Sequence, residues 1–200
     1  SYEEVAIFPD LYREIAEVEV ALNNRQPNFF RASLYLQIIG PDGAMVSDQT
    51  VEVQLYPGIN RFAYRLRVPQ PYPWDCDHPY LYQMITEVEV DGQADHIRTT
   101  FGMRDFTVQD GQFLLNGSPI YIQGVLLQPH YPINLVTPPD PEMLFRELTL
   151  VKEGGFNLIP SPLRPAPPGY LELTDRLGIL VYAETSLGWI KDNPRLLEQG

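Results

Sequence analysis

The stretch "NGSPIYIQGV", residues 116–125, separates two kinds of sequence. Asn116-Gly117 is a turn pair, and with Asp110-Gly111 it brackets the apolar run Phe113-Leu114-Leu115, which reads as a hairpin. Beyond it, "IYIQGVLL" (120–127) is apolar almost without interruption, as expected of a parallel strand covered on both faces.

Downstream, "TPPDPEMLFRELTLVKEGG" predicts a helix. Asp140 can cap it, Pro141 suits the first helical position and Glu142 favours the positive end of the dipole. Leu144, Leu148 and Val151 form an i, i+4, i+7 stripe, and Gly154-Gly155 stops it. "FNLIPSPL" reads as a second strand, "PPGYLELTDRLG" as a short helix stopped by Gly178, and "ILVYAE" as a third strand. Strand, helix, strand, helix, strand with short links predicts a parallel sheet with right-handed crossovers. Either an open doubly wound sheet or a (β/α)8 barrel satisfies this pattern. No Gly-rich phosphate loop opens either helix, which removes the usual support for nucleotide binding. Eight repeats need roughly 250 residues, so residues 119–200 hold about three βα units.

Upstream, period-two alternation dominates. In "EIAEVEVAL" Ile15, Val18 and Val20 fall among Glu14, Glu17 and Glu19. "RASLYLQII" ends at the turn "GPDG"; "QTVEVQLYPG" and "NRFAYRLRVP" are split by Pro57-Gly58. "YLYQMITEVEV" and "QADHIRTTF" are joined by Asp91-Gly92, a pair suited to a type I′ hairpin. About six or seven short strands without an intervening helix predict an antiparallel, immunoglobulin-like sandwich. The cluster "PQPYPWDCDHPYLY" reads either as a sugar-stacking platform or as a stiff connector whose rings fill the sandwich edge. The expected divisions are a sandwich over 1–103, a connecting hairpin over 104–118 and a partial barrel over 119–200.

A net charge of -12 argues against nucleic acid as a partner, because the phosphate backbone would be repelled. It suits a neutral ligand such as a sugar. The single Cys76 cannot form an internal disulfide, which slightly favours a reducing, cytoplasmic setting; the compartment is otherwise unspecified. No run approaches the ~18 consecutive apolar residues of a membrane span. "SYEEVAIFPD" lacks the charged-then-apolar build of a signal peptide. The three histidines are widely separated, so neither a metal site nor a cofactor is expected.

"FGMRDFTVQDGQFLLNGSPIYIQGV", "KEGGFNLI" and "YLELTDRLGILVYAE" resemble the junction between the immunoglobulin-like domain and the catalytic barrel of glycoside hydrolase family 2. "WDCDHPYLY" resembles that family's Trp and His-Pro-Tyr-Leu-Tyr motif. The family includes β-galactosidases, β-glucuronidases and β-mannosidases. The resemblance runs in order from about Val5 to Trp189 and implies a barrel rather than an open sheet. It implies retaining glycoside hydrolysis by two carboxylates about 5 Å apart. Those fall after the fourth and seventh barrel strands, beyond Gly200. No catalytic residue is therefore assigned, and the 200-residue chain alone is expected to be inactive.

The departures from the family pattern matter. Where the family reads Gly-Val-Asn-Arg-His-Glu-His-His-Pro, this chain reads "GVLLQPHYP", with Leu126, Leu127 and Gln128 at the Asn, Arg and first His positions. Asn-x-Val-Arg-x-Ser-His-Tyr-Pro becomes "NLIPSPLRP", so Pro160 stands for an arginine and Leu163 for a histidine; Asp-Glu becomes Ala183-Glu184. His130, Glu184, Trp189, Arg164 and Gln128 are the candidate sugar contacts at the strand ends. The apolar substitutions also fit an alternative, a non-catalytic carbohydrate-binding or scaffold protein derived from the family. The open edge of a three-stranded sheet predicts self-association.

Overall fold

The computed structural model describes residues 2–127, 140–160 and 169–182. The chain divides into two compact units, Ser1–Ile120 and Tyr121–Gly200.

The first unit is built on two antiparallel sheets. Strands β1 (Tyr2–Asp10), β2 (Ile15–Asn24) and β5 (Gly58–Arg67) pair in the order β1-β2-β5. Strands β3 (Phe30–Ile39), β4 (Met45–Leu55), β6 (Tyr82–Val90) and β7 (Gln93–Phe101) pair in the order β4-β3-β6-β7. Val18, Val20 and Leu22 from the first sheet meet Leu34, Leu36, Ile38 and Met84 from the second in one buried cluster. Alternation produces this face, since every second side chain points inward. In β2 the inward set runs Ala16, Val18, Val20, Leu22. Ile15 therefore shares the outward side with Glu17 and Glu19, one step out of phase with the apolar pattern of the sequence. The Asp91-Gly92 turn between β6 and β7 has φ of 50° and 77°, both positive as a type I′ turn requires.

A hairpin of β8 (Phe106–Gln109), β9 (Gln112–Leu115) and β10 (Ser118–Pro119) completes the first unit. Its turns, Asp110-Gly111 and Asn116-Gly117, also take positive φ at both residues. The hairpin is tied to the connector before β6 by a knot around Trp74. That indole is 1% exposed, its backbone N–H donates to Met103 O at 2.9 Å, and the Arg104 guanidinium lies 4.7 Å from its ring centroid. Gly102 gives the ring room: a Cβ there would sit 2.8 Å from Trp74 Cβ. Asn116 Nδ2 donates to Trp74 O at 3.0 Å, while Asn116 Oδ1 accepts from Asp105 N–H at 2.9 Å. The connector itself folds as a tight turn, in which Asp75 Oδ1 accepts from the backbone N–H groups of Asp77 and His78.

The second unit carries α1 (Pro141–Glu153), β11 (Leu158–Pro160), α2 (Tyr170–Leu177) and β12 (Leu180–Tyr182). Asp140 caps α1 by accepting from Glu142 N–H at 3.0 Å. The helix ends in a Schellman motif: Phe156 N–H donates to Val151 O and Gly155 N–H to Lys152 O. The left-handed residue is Gly155, at φ 81°; Gly154 stays right-handed at φ -71°. Leu144, Leu148 and Val151 bury against Ile159, Ile179 and Tyr170, as the helical stripe requires.

β11 and β12 pair in parallel, with Leu158 opposite Leu180 and Pro160 opposite Tyr182. The expected strand over 120–127 is reduced to a single parallel bridge, Gly124 to Leu158. A side chain replaces part of the missing ladder. Asn157 Nδ2 donates to Tyr121 O and its Oδ1 accepts from Gln123 N–H, both at 2.8 Å. Nor is the segment covered on both faces: Val125 and Leu127 pack on the helix cluster, whereas Tyr121 and Leu126 are exposed.

Candidate functional site

Sites on parallel βα units form where the strands end, because the backbone there turns outward into loops. The described residues nearest such ends are Leu126 and Leu127, Pro160 of β11 and Tyr182 of β12. Pro160 is the last described residue of β11 and has no N–H to give to a ladder. It also cannot offer a cation or a side-chain donor at that position.

Alternation sorts the strand residues onto two faces. Val125, Leu127, Ile159, Ile179 and Val181 belong to the cluster under α1 and α2. The alternate positions, Gly124, Leu126, Leu158, Pro160, Leu180 and Tyr182, fall on the opposite face. Leu158 Cδ2 leans over Gly124, 3.4 Å from where a Cβ would be. This second face is apolar apart from one phenol, and Leu126 and Tyr182 are each more than half exposed. Such a face suits the inside of a closed barrel, where layers of side chains from neighbouring strands fill the centre.

All five candidate sugar contacts, Gln128, His130, Arg164, Glu184 and Trp189, lie outside the described residues, as do Leu163 and Ala183. Among the described residues the strand ends carry no Asp or Glu, and no group of three His, Cys, Asp or Glu side chains could hold a metal ion. No helix among them is long and apolar enough to cross a membrane.

One buried polar group stands out in this unit. Tyr170 opens α2 and is 7% exposed, and among the described residues its hydroxyl has no hydrogen-bond partner. Burial pushes its phenol up to about 12, because the ionised form would lose its water. Trp74, one of the aromatics of the connector cluster, is enclosed by Gly102 and Arg104 and so has no face for a ligand. Tyr72 and Tyr80 of that cluster stay exposed, 5.4 Å apart and packed on each other. Asn116 and Asn157, which fix the hairpin and the first strand of the second unit, carry no periodicity signal. Their work is done through backbone groups far away in sequence.

Comparison with known proteins agrees with this arrangement. The sequence profile described as Glycosyl hydrolases family 2 matches residues 3–104, and the one described as Glycosyl hydrolases family 2, TIM barrel domain, matches residues 106–192. The beta-galactosidase BoGH2A of Bacteroides ovatus is 35% identical over 133 residues, covering 65% of this chain and 15% of that protein. A beta-galactosidase of Photobacterium profundum is 31% identical over 127 residues, covering 61% of this chain and 12% of its own length. The chain thus spans about one seventh of such relatives. A solved family 2 member from Bacteroides cellulosilyticus superposes with a TM-score of 0.81 at 25% identity, over 92% of this chain and 26% of that one. The beta-glucuronidase of Parabacteroides merdae shares the fold, with a TM-score of 0.79 at 24% identity, over 90% of this chain and 23% of that one.

Proposed function

Because the chain belongs to glycosyl hydrolases family 2, we propose that the protein of which it forms part hydrolyses the O-glycosidic bond of a β-hexoside or β-hexuronide with retention. One carboxylate attacks the anomeric carbon while a second protonates the leaving oxygen, and the second then activates water to release the sugar. Both carboxylates are expected on barrel strands after β12. The observation that carries this reading is the junction. The two family profiles meet at residues 104 and 106, where the sandwich ends and the hairpin leading to the parallel strands begins.

The described strands supply a structural share of the site. Their apolar inner face would fill the barrel centre and hold the strand ends at fixed spacing. His130, Glu184, Trp189, Arg164 and Gln128 remain our candidates for contacts to the sugar. The loss of a guanidinium at Pro160 makes this part of the rim less polar and points to a substrate with fewer charged or hydroxyl contacts on that side. Nothing in the comparisons favours the non-catalytic alternative. We also expect the 200-residue chain by itself to associate through the exposed apolar face at Leu126 and Tyr182, and sedimentation over a concentration series tests this.

The test is turnover by the full-length protein of p-nitrophenyl β-galactoside and β-glucuronide, with proton NMR of the first anomer formed. Release of either sugar as its β-anomer is expected. Release as the α-anomer would make the enzyme inverting, and no release from either would overturn the reading.

A further inference from the structure

One end of the sandwich exposes an aromatic patch for which neither the fold nor the hydrolytic reading has a use. Phe29 sits in the loop between β2 and β3, and Tyr56 and Ile59 flank the Pro57-Gly58 turn between β4 and β5; each is 57% to 59% exposed. The Phe29 and Tyr56 rings are neighbours, with centroids 6.3 Å apart and planes tilted by 35°. Scattered single apolar residues on a surface need no explanation, but two aromatic rings packed together in the open, with a third exposed apolar side chain on the same turn, do.

The backbones of the two loops are pinned by polar side chains. Asn24, 8% exposed, donates to Asn28 O at 2.7 Å and to Leu55 O at 3.0 Å, and its Oδ1 accepts from Gln26 N–H at 2.9 Å. It thereby pins one loop and joins it to the other. Asn60 does the same for the turn, donating to Tyr56 O and Gly58 O and accepting from Tyr56 N–H. The Tyr56 hydroxyl donates to Gln54 Oε1 at 2.8 Å, which fixes the ring. Preorganisation of this kind lowers the entropic cost of binding.

The chemistry of the rim selects the ligand. The polar groups on these loops are amides, Gln26 and Asn28, with Gln54 beside them, and the segments 25–29 and 56–59 carry a single charged side chain, Arg25. Aromatic faces carry partial negative charge and attract the weakly positive C–H face of a pyranose, while amides both donate to and accept from hydroxyls. The net charge of -12 disfavours anions at long range. We propose that the Phe29–Tyr56–Ile59 end of the sandwich is a surface site for a neutral saccharide, independent of the barrel chemistry. It would hold a glycan chain near the enzyme without cleaving it.

The test uses the whole chain with three probes, cellotetraose, β-1,4-galactotetraose and tetragalacturonate, followed by NMR amide shifts. Saturable shifts at residues 24–29 and 54–60 are expected with at least one neutral probe, at a dissociation constant of about 1 mM, with the anionic probe weaker. Tyr56→Ala and Phe29→Ala, both on exposed positions, are each expected to weaken binding about threefold to tenfold with the remaining spectrum unchanged. The proposal is overturned if no probe shifts these residues, if the variants bind as well as the parent, or if the anionic probe binds best. A concentration-dependent rise in mass that Tyr56→Ala abolishes, without sugar binding, would assign the patch to a protein partner instead.

Discussion

Replacing Asn116 separates two contributions that the structure superimposes at one residue. Its backbone sits at φ 53°, in the left-handed region, and its side chain makes two hydrogen bonds, to Trp74 O and Asp105 N–H. Asn116→Gly keeps the conformation and removes both bonds. At about 0.5–1.5 kcal/mol for each neutral hydrogen bond, the loss is about 1–3 kcal/mol. Asn116→Ala removes the same bonds and adds the cost of a Cβ in the left-handed region, about 1 kcal/mol beyond glycine. The order expected is therefore parent, then glycine, then alanine. Urea unfolding followed by tryptophan fluorescence reads it, because Trp74 lies at the centre of the knot; a Trp189→Phe background leaves Trp74 as the sole indole of the two. A glycine variant within about 0.3 kcal/mol of the parent would show that the side chain clamps nothing. An alanine variant equal to the glycine one would remove the conformational part.

Three further outcomes follow from buried groups. Thr86 is fully buried on β6 and its Oγ1 has no partner among the described residues, so Thr86→Val should stabilise the sandwich by about 1–2 kcal/mol in the same titration; a loss of stability would mean the hydroxyl is bonded. Gly102→Ala would force a methyl against Trp74 at 2.8 Å and should destabilise by about 1–3 kcal/mol, with a red-shifted Trp74 emission; native stability would refute the packing described. The raised Tyr170 phenol sets the sign of an alkaline effect. Below pH 10 the phenol is neutral in both folded and unfolded chains, so its full contribution is present; between 10 and about 12 only the unfolded form ionises, and stability falls. Tyr170→Phe should flatten that fall and raise the pH at which the chain unfolds in alkali. An unchanged alkaline profile would contradict it.

Elements set by local chemistry were legible in the sequence. The α1 boundaries follow from Asp140, Pro141 and the Gly154-Gly155 stop, and the hairpins from Asp91-Gly92, Asp110-Gly111 and Asn116-Gly117, since capping and positive φ are properties of short segments. Elements set by distant partners were less so. β1 contains Pro9 and has no clean alternation, and it becomes a strand by pairing along β2 from Tyr2 to Asp10. The phase of β2 hinges on Ala16, too small to mark a buried face by itself. Residues 120–127 have the composition of a central strand, yet they make one bridge, to Leu158. The roles of Asn116, Asn157 and Trp74 depend on backbone atoms dozens of positions away, which no local pattern encodes. The candidate sugar contacts rest on family motifs alone.

The Trp74 knot bears on how this architecture can be cut or recombined. The sequence reading divides the protein after residue 103, where the sandwich gives way to the hairpin. A cut there would strip Arg104 from the Trp74 indole and Asn116 from the Trp74 carbonyl. A transplantable sandwich therefore ends at Ile120, and any chimera between relatives must exchange the connector and the hairpin as a matched pair.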